Sequence, residues 1–544
     1  MLCFPCPEPA LRILATAALS LAITLAVGAR AQDTSLPDIG SSAAEMIDPG
    51  TEAEYGAYLR YELRRLDMLV EDPLVDDWLQ SMGYRLAAAS DVPRHGFTFF
   101  MMRDRQINAF ATLGGYIGMN AGLVLTAETE AEVAGVMAHE IAHVTQRHVL
   151  RAYERASKDQ VPIMLAMLGA IVAAQAVGDS GGQDSSSSNA SMAAVAGAMA
   201  LIQQRQIDYT RSNESEADRI GIQTLSRAGF DPNGMADFFE RMQRANRGNS
   251  GGYQLPEYLR THPVTTTRIS ETRQLANRIG GAAGRQPTAV RTPGSLLLPG
   301  ELSLATSGGS AFDRDHIFPW ARERLRVLSA SSARQALLEY EALAKVADPD
   351  DSDALQYGLA LAQQRAGRPR EAATTLDALL ERHPGDLWLE LARAESAARY
   401  RQPAEASERF EALLKRHPES RAVRLSYAEV LGERATPEAG RRAQDVLRPL
   451  VPTAGDDPLF QRNFARASEL AGDEVRAGEA YAEAAFLNGR AVDALNQLER
   501  LKQREDLSYY QRARIEARMA AITPVVLEMR RQGIRAEEQR PDQR

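Results

Sequence analysis

Apolar positions change period several times along the chain. From about 48 to 89 they recur at helical spacing. From 97 to 120 they fall into short runs (FTFFMM, INAFA, GYIGMN) broken by polar residues and glycine, which predicts a small sheet. A helix is then expected from near Thr126 past Arg151. Glu128, Glu130 and Glu132 lie in its first turns and Arg147 and Arg151 near its end, the order that suits the helix dipole. Over 161–204, two Ala- and Met-rich apolar stretches flank DSGGQDSSSSNAS and predict a mobile hairpin. Two readings stand for it: a lid or membrane-touching element beside an active site, or a buried helical pair with a flexible tip.

Periodicity weakens over 280–312, where GGAAGRQPTAVRTPGSLLLPG marks a linker. Beyond it a small-to-large pair recurs as Ala336/Tyr340, Ala372/Leu376, Ala406/Phe410, Ala443/Leu447 and Ala477/Tyr481, at intervals of 36, 34, 37 and 34 residues. That is the tetratricopeptide period. The segment ALLERHPGD at 378–386 returns as ALLKRHPES at 412–420, so His383 and His417 read as repeat-turn residues and Pro384 and Pro418 as helix stops. Stacked helical pairs of this kind make a concave binding surface; a plain helical bundle is the bland alternative.

Length adds that one core cannot serve the 544 residues, so two or more domains are expected. With 44% hydrophobic and 25% charged residues the bulk is globular. The net charge of −9, spread along the chain, points to neither nucleic acid nor an anionic membrane. Residues 1–31 differ: Arg12 precedes an apolar run over 13–27 and then Ala29-Arg30-Ala31, a cleavable secretory signal with an uncleaved anchor as its rival. Both cysteines, Cys3 and Cys6, fall inside it, which leaves the mature chain no disulfide and no thiolate ligand.

The chemistry concentrates in MAHEIAHV. His139 and His143, four apart on a helix, sit about 40° from each other around its axis, so both imidazoles reach one ion. Glu140 lies beside them as candidate general base for peptide hydrolysis. Catalytic zinc takes three protein ligands, so a third is required. A histidine six residues on is excluded, because Gln146 and Val149 stand where a metzincin has Gly and His. NESEADRIG at 213–221 offers Glu214 and Glu216. They point about 160° apart on a helix, and Glu214 is preferred because Asp218 shares its face and can hold the far N–H of a ligand histidine. His148 falls off the metal face, and His95 and His316 read as loop residues. His262, in RTHPVTTTR, is a loop histidine, an oxyanion stabiliser or a cap on the metal's open position.

The combination of NAFATLGGYIGMN, HEIAH and ESEAD resembles metallopeptidase family 48, a gluzincin family, over roughly 45–275. With a signal in front and repeats behind, the plan resembles the family's β-barrel assembly-enhancing type, which works in the Gram-negative periplasm. The resemblance implies one zinc per chain held by His139, His143 and Glu214, and His262 as a fourth ligand that keeps the site latent. It also implies that Gly114, Gly115 and Tyr116 lie near an edge strand receiving substrate. Protein substrates are expected, and outer-membrane assembly machinery is the expected partner of the repeats, with peripheral membrane contact through 161–204. The alternative function is a repeat-based chaperone or scaffold with a largely latent metal site. The expected fold class is α+β: a signal at 1–31, a mostly helical gluzincin metalloprotease domain with a small β-sheet at 32–279, a linker, an all-α repeat solenoid at 313–525 and a charged tail at 526–544.

Overall fold

The structure, a computed structural model, describes residues 49–93, 96–152, 154–155, 209–248, 257–283, 317–345 and 352–531. The expected signal at 1–31, the hairpin at 161–204, His95, His316, nearly all of the linker and the end of the tail lie outside the described residues.

The helical stretch after residue 48 divides into α1 (Pro49–Arg65) and α2 (Pro73–Ala88). Asp67 takes a left-handed φ of 53° between them. Asp72 then caps α2, accepting from the Val75 amide, with Pro73 preset for the first turn. The expected sheet has three strands, β1 (Thr98–Met102), β2 (Ala109–Ala111) and β3 (Tyr116–Asn120), in the order β1-β3-β2. β3 runs parallel to β1 and antiparallel to β2. This corrects the placement of the edge. Gly114 and Gly115 form a turn with φ of 74° and 76°, and Tyr116 opens the central strand, so the edges are β1 and β2. Any Cβ at Gly114 would sit 2.6 Å from the Glu52 carbonyl, so only glycine lets this turn pass under α1 and insert β3 between its neighbours.

After α3 (Ala121–Thr126), helix α4 (Glu130–Thr145) is capped by the Thr129 hydroxyl. Its acidic first turn is tied down rather than solvated: Glu130 accepts from the Trp78 indole at 2.7 Å, and Glu132 from Arg241 at 3.0 Å. Contrary to expectation α4 stops at Thr145. Arg147 turns left-handed (φ 53°) before residues 148–152 resume a helix, and an ion pair to Glu52 holds it there. Residues 209–227 form α5, followed by α6 (Gly234–Gly248), α7 (Glu257–Thr261) and α8 (Thr266–Ala283). Gly221 sets α5 against α4, because a Cβ there would come within 3.1 Å of the His139 backbone nitrogen.

From α9 (Ile317–Ser329) onward every described element is helical apart from one short 3-10 turn, and successive helices pair. The small-to-large pairs fall where expected: Ala372/Leu376, Ala406/Phe410 and Ala443/Leu447 are buried, and only Tyr481 is half-exposed. Pro369, Pro403 and Pro437 start helices, and Asp386, Ser420 and Asp457 each cap the helix that follows. The last helix, Tyr509–Arg531, runs past the expected tail boundary at 526 because Val526 and Met529 are buried and Met529 meets the Tyr61 hydroxyl. One apolar core continues from Val70 to Ala467. Across the seam Arg324 forks onto Asp72 at 2.8 Å and Arg421 reaches Asp77 at 3.2 Å. Among the described residues no helix is long and apolar enough to cross a membrane.

Candidate metal centre

Helix α4 carries His139 and His143 on one face, α5 brings Glu214 and Asp218 to it, and the turn between α7 and α8 delivers His262. One nitrogen or oxygen from each of His139, His143, Glu214 and His262 lies within 4.8 Å of the others, a set able to hold a metal ion. His139 Nε2 and His143 Nε2 are 3.0 Å apart, and both are 3.4 Å from Glu214. His262 Nδ1 is 2.9 Å from Glu214 Oε1, its ring stacked on Tyr258 with centroids 4.7 Å apart. Asp218 Oδ1 stands 2.9 Å behind His139 Nδ1, although the two are not aligned for a straight hydrogen bond.

Glu140 is buried beside this set, and its Oε1 has no hydrogen-bond partner among the described residues; the His262 Nε2 atom stands 3.8 Å from it. A buried carboxylate oxygen without a partner is costly, and such oxygens are kept where chemistry uses them. The site opens onto a cleft of 480 Å³ lined by Asn108, Phe110, Ala111, Glu140, His143 and His262. The strand beside it is therefore β2; Gly114, Gly115 and Tyr116 are absent from the lining.

The electrostatics suit a cation. Burial is the largest influence on His139 and opposes its charge, but the adjacent carboxylates of Asp218 and Glu214 overcome it and push its pKa up to about 10. Burial pulls His143 down. Glu214 is held well below the carboxylate range, since the three histidines outweigh its burial, and Asp218 is lowered by His139 and Arg268 in the same way. A metal would replace the His139 proton and take up both negative charges.

Three contributors were not legible in advance. Arg268 grips Asp218 with two bonds of 2.7 and 2.8 Å, reaches Glu214 at 2.9 Å, and donates to the Pro263 carbonyl, so it ties α8 and the His262 turn to the ligand helix. Tyr258 supports the His262 ring. His148 touches the back of His143, and Glu216, the rival for third ligand, faces His148 and Arg151. Arg268 closes the motif RTHPVTTTR and was the one of these with a usable signal.

Residues 73–276 match peptidase family M48, and residues 353–386 match a tetratricopeptide repeat. The chain is 34% identical over 360 residues to the beta-barrel assembly-enhancing protease of Escherichia coli strain K12, covering 66% of this chain and 65% of that one. It is 33% identical over 377 residues to the protein of that name from Yersinia pestis, covering 68% of each. A putative beta-barrel assembly-enhancing protease of Vibrio cholerae is 43% identical over 244 residues, 45% of this chain and 48% of its own. The chain thus spans about two-thirds or less of the length of these relatives.

Proposed function

Because the chain belongs to peptidase family M48, we propose that it is a zinc-dependent endopeptidase of the Gram-negative periplasm that hydrolyses misassembled outer-membrane proteins. The observation that carries this is the convergence of His139, His143, Glu214 and His262 next to the buried, unpartnered Glu140 oxygen. Histidine nitrogens and one carboxylate favour zinc over the harder divalent cations. Bound zinc supplies Lewis-acid polarisation and lowers the pKa of water to about 7. His139, His143 and Glu214 would hold it, with Asp218 orienting His139. Glu140 Oε1 would accept the proton of the attacking water and return it to the leaving amine nitrogen. The outer edge of β2, unpaired among the described residues, offers an extended peptide backbone a place to pair beside Glu140. The repeat region, 313 onward, would hold protein substrates or assembly machinery, and the protease region would occupy 32–279.

The position of His262 against Glu214 favours a closed state of the same enzyme, in which His262 occupies the fourth coordination position and the repeats act as a chaperone meanwhile. Metal content and casein hydrolysis by the purified chain, its Glu140→Gln variant and its His262→Ala variant test both statements. The expected result is one zinc per chain in all three, activity lost in Glu140→Gln and raised in His262→Ala. Absence of bound metal, or hydrolysis indifferent to Glu140, would leave a repeat-based scaffold.

A further inference from the structure

His148 is buried, with 3% of its side chain exposed, although it lies five residues past a ligand candidate and a continuous helix would turn it about 140° away from His143. The left-handed Arg147 brings it back. Such a conformation is rare for a residue with a side chain and persists where surrounding contacts enforce it, here the Arg147–Glu52 ion pair. As a result His148 Nδ1 lies 3.0 Å from His143 Nδ1, with the rings nearly perpendicular, and His148 Nε2 lies 3.2 Å from Glu216 Oε2. Arg151 donates to the same Glu216 oxygen at 3.3 Å.

Two imidazole nitrogens at 3.0 Å share one proton, and its position decides whether His143 can bind a metal. If it sits on His143 Nδ1, His143 Nε2 keeps its lone pair toward His139 and Glu214. If it sits on His148 Nδ1, neutral His143 must carry its own proton on Nε2, which blocks coordination. Glu216 resolves the choice. A carboxylate only accepts, so it draws the His148 proton to Nε2 and leaves His148 Nδ1 as an acceptor for His143 Nδ1–H. We propose that His148 and Glu216 are positioning residues that hold His143 in the tautomer able to bind the metal.

This inference rests on the metal-site reading above, and the experiment separates the two. Zinc affinity of the full chain is measured by chelator competition for the unsubstituted protein, His148→Phe, which keeps ring volume but removes the acceptor, and His148→Asn, whose amide oxygen can stand at the Nδ1 position. The cobalt-substituted absorption spectrum and the melting temperature of each metal-free chain accompany it. The expected result is affinity weakened about 10- to 100-fold in His148→Phe with a changed cobalt spectrum, and within a few-fold of the parent in His148→Asn. Glu216→Ala is expected between them. Equal affinity and an identical spectrum in His148→Phe overturn the proposal while leaving the protease reading intact. If His148→Phe does not fold, the contrast between parent, His148→Asn and Glu216→Ala decides: equal affinity in Glu216→Ala overturns it. A chain that takes up zinc with this pattern yet cleaves no casein even as the His262→Ala variant supports the positioning role and removes the protease reading; a parent that binds no zinc overturns both.

Discussion

In the hairpins over 369–416 the chain solves one packing problem twice: Ala372 lets a partner helix approach while Leu376 fills the gap, and Ala406 and Phe410 repeat this 34 residues later, all four fully buried. At the metal centre nothing repeats. His262 is 123 residues from His139 and 48 from Glu214, and each of these groups occurs once. The difference teaches where each region is vulnerable. A repeat contact is one of several similar increments of apolar burial, so its loss lowers stability and leaves chemistry elsewhere intact. A site residue contributes little to the fold and everything to one step.

The widest separation is expected from Glu140→Gln, which should lower casein hydrolysis about 10²- to 10⁴-fold with an unchanged melting temperature; a shift in unfolding of similar weight would show that Glu140 is structural. Phe410→Ala is the mirror image. It should cost about 3–5 kcal/mol in denaturant unfolding while zinc stoichiometry stays at that of the parent. Asp72→Ala probes the seam where the comparison should fail, since Asp72 caps α2 and also pairs with the buried Arg324 from the repeat side. Stranding that guanidinium should cost about 3–5 kcal/mol and destabilise both regions in one transition. Two separate transitions in calorimetry would mean that the regions unfold independently.

The smallest effect is expected at Asp76, near the same seam. Burial, reinforced by Asp72, Asp457 and Asp77 and opposed by Arg421, pushes its pKa up to about 8. The folded state then keeps a proton that the unfolded chain releases near pH 4. The contribution to stability is full below pH 4 and is lost as pH rises through 8. Asp76→Asn should therefore gain stability relative to the parent between pH 5 and pH 9. With 31% of the side chain still exposed the gain is small, and a difference independent of pH would assign the effect to packing.

Local spacing was enough for much of this. His139 and His143 read as a two-point clamp because residues four apart share a helix face in any fold. Glu214 and Asp218 were selected together on the same ground, and the structure places Asp218 behind His139. The repeats were legible because a 34-residue period survives averaging over many positions. Other features were not. The helix through Arg147 looked continuous, since neither Gln146 nor Arg147 is a usual breaker, and the break is enforced by Glu52, 95 residues earlier. The resemblance put Tyr116 near an edge strand, and period-two patterning could not correct it, because strand order is invisible to that pattern.

By itself, then, the sequence determined most of the elements, the repeat architecture, two histidines with their neighbouring glutamate, and the preference for Glu214 over Glu216; each follows from periodicity within one helix or one repeat. Only the tertiary structure decided that β2 rather than Tyr116 borders the cleft, that Arg268 binds Asp218 and Glu214 together, and that His148 returns to the back of His143. These depend on groups distant in the chain meeting in a water-poor interior, where an unpaired charge or donor is costly and the partner is chosen by proximity in space.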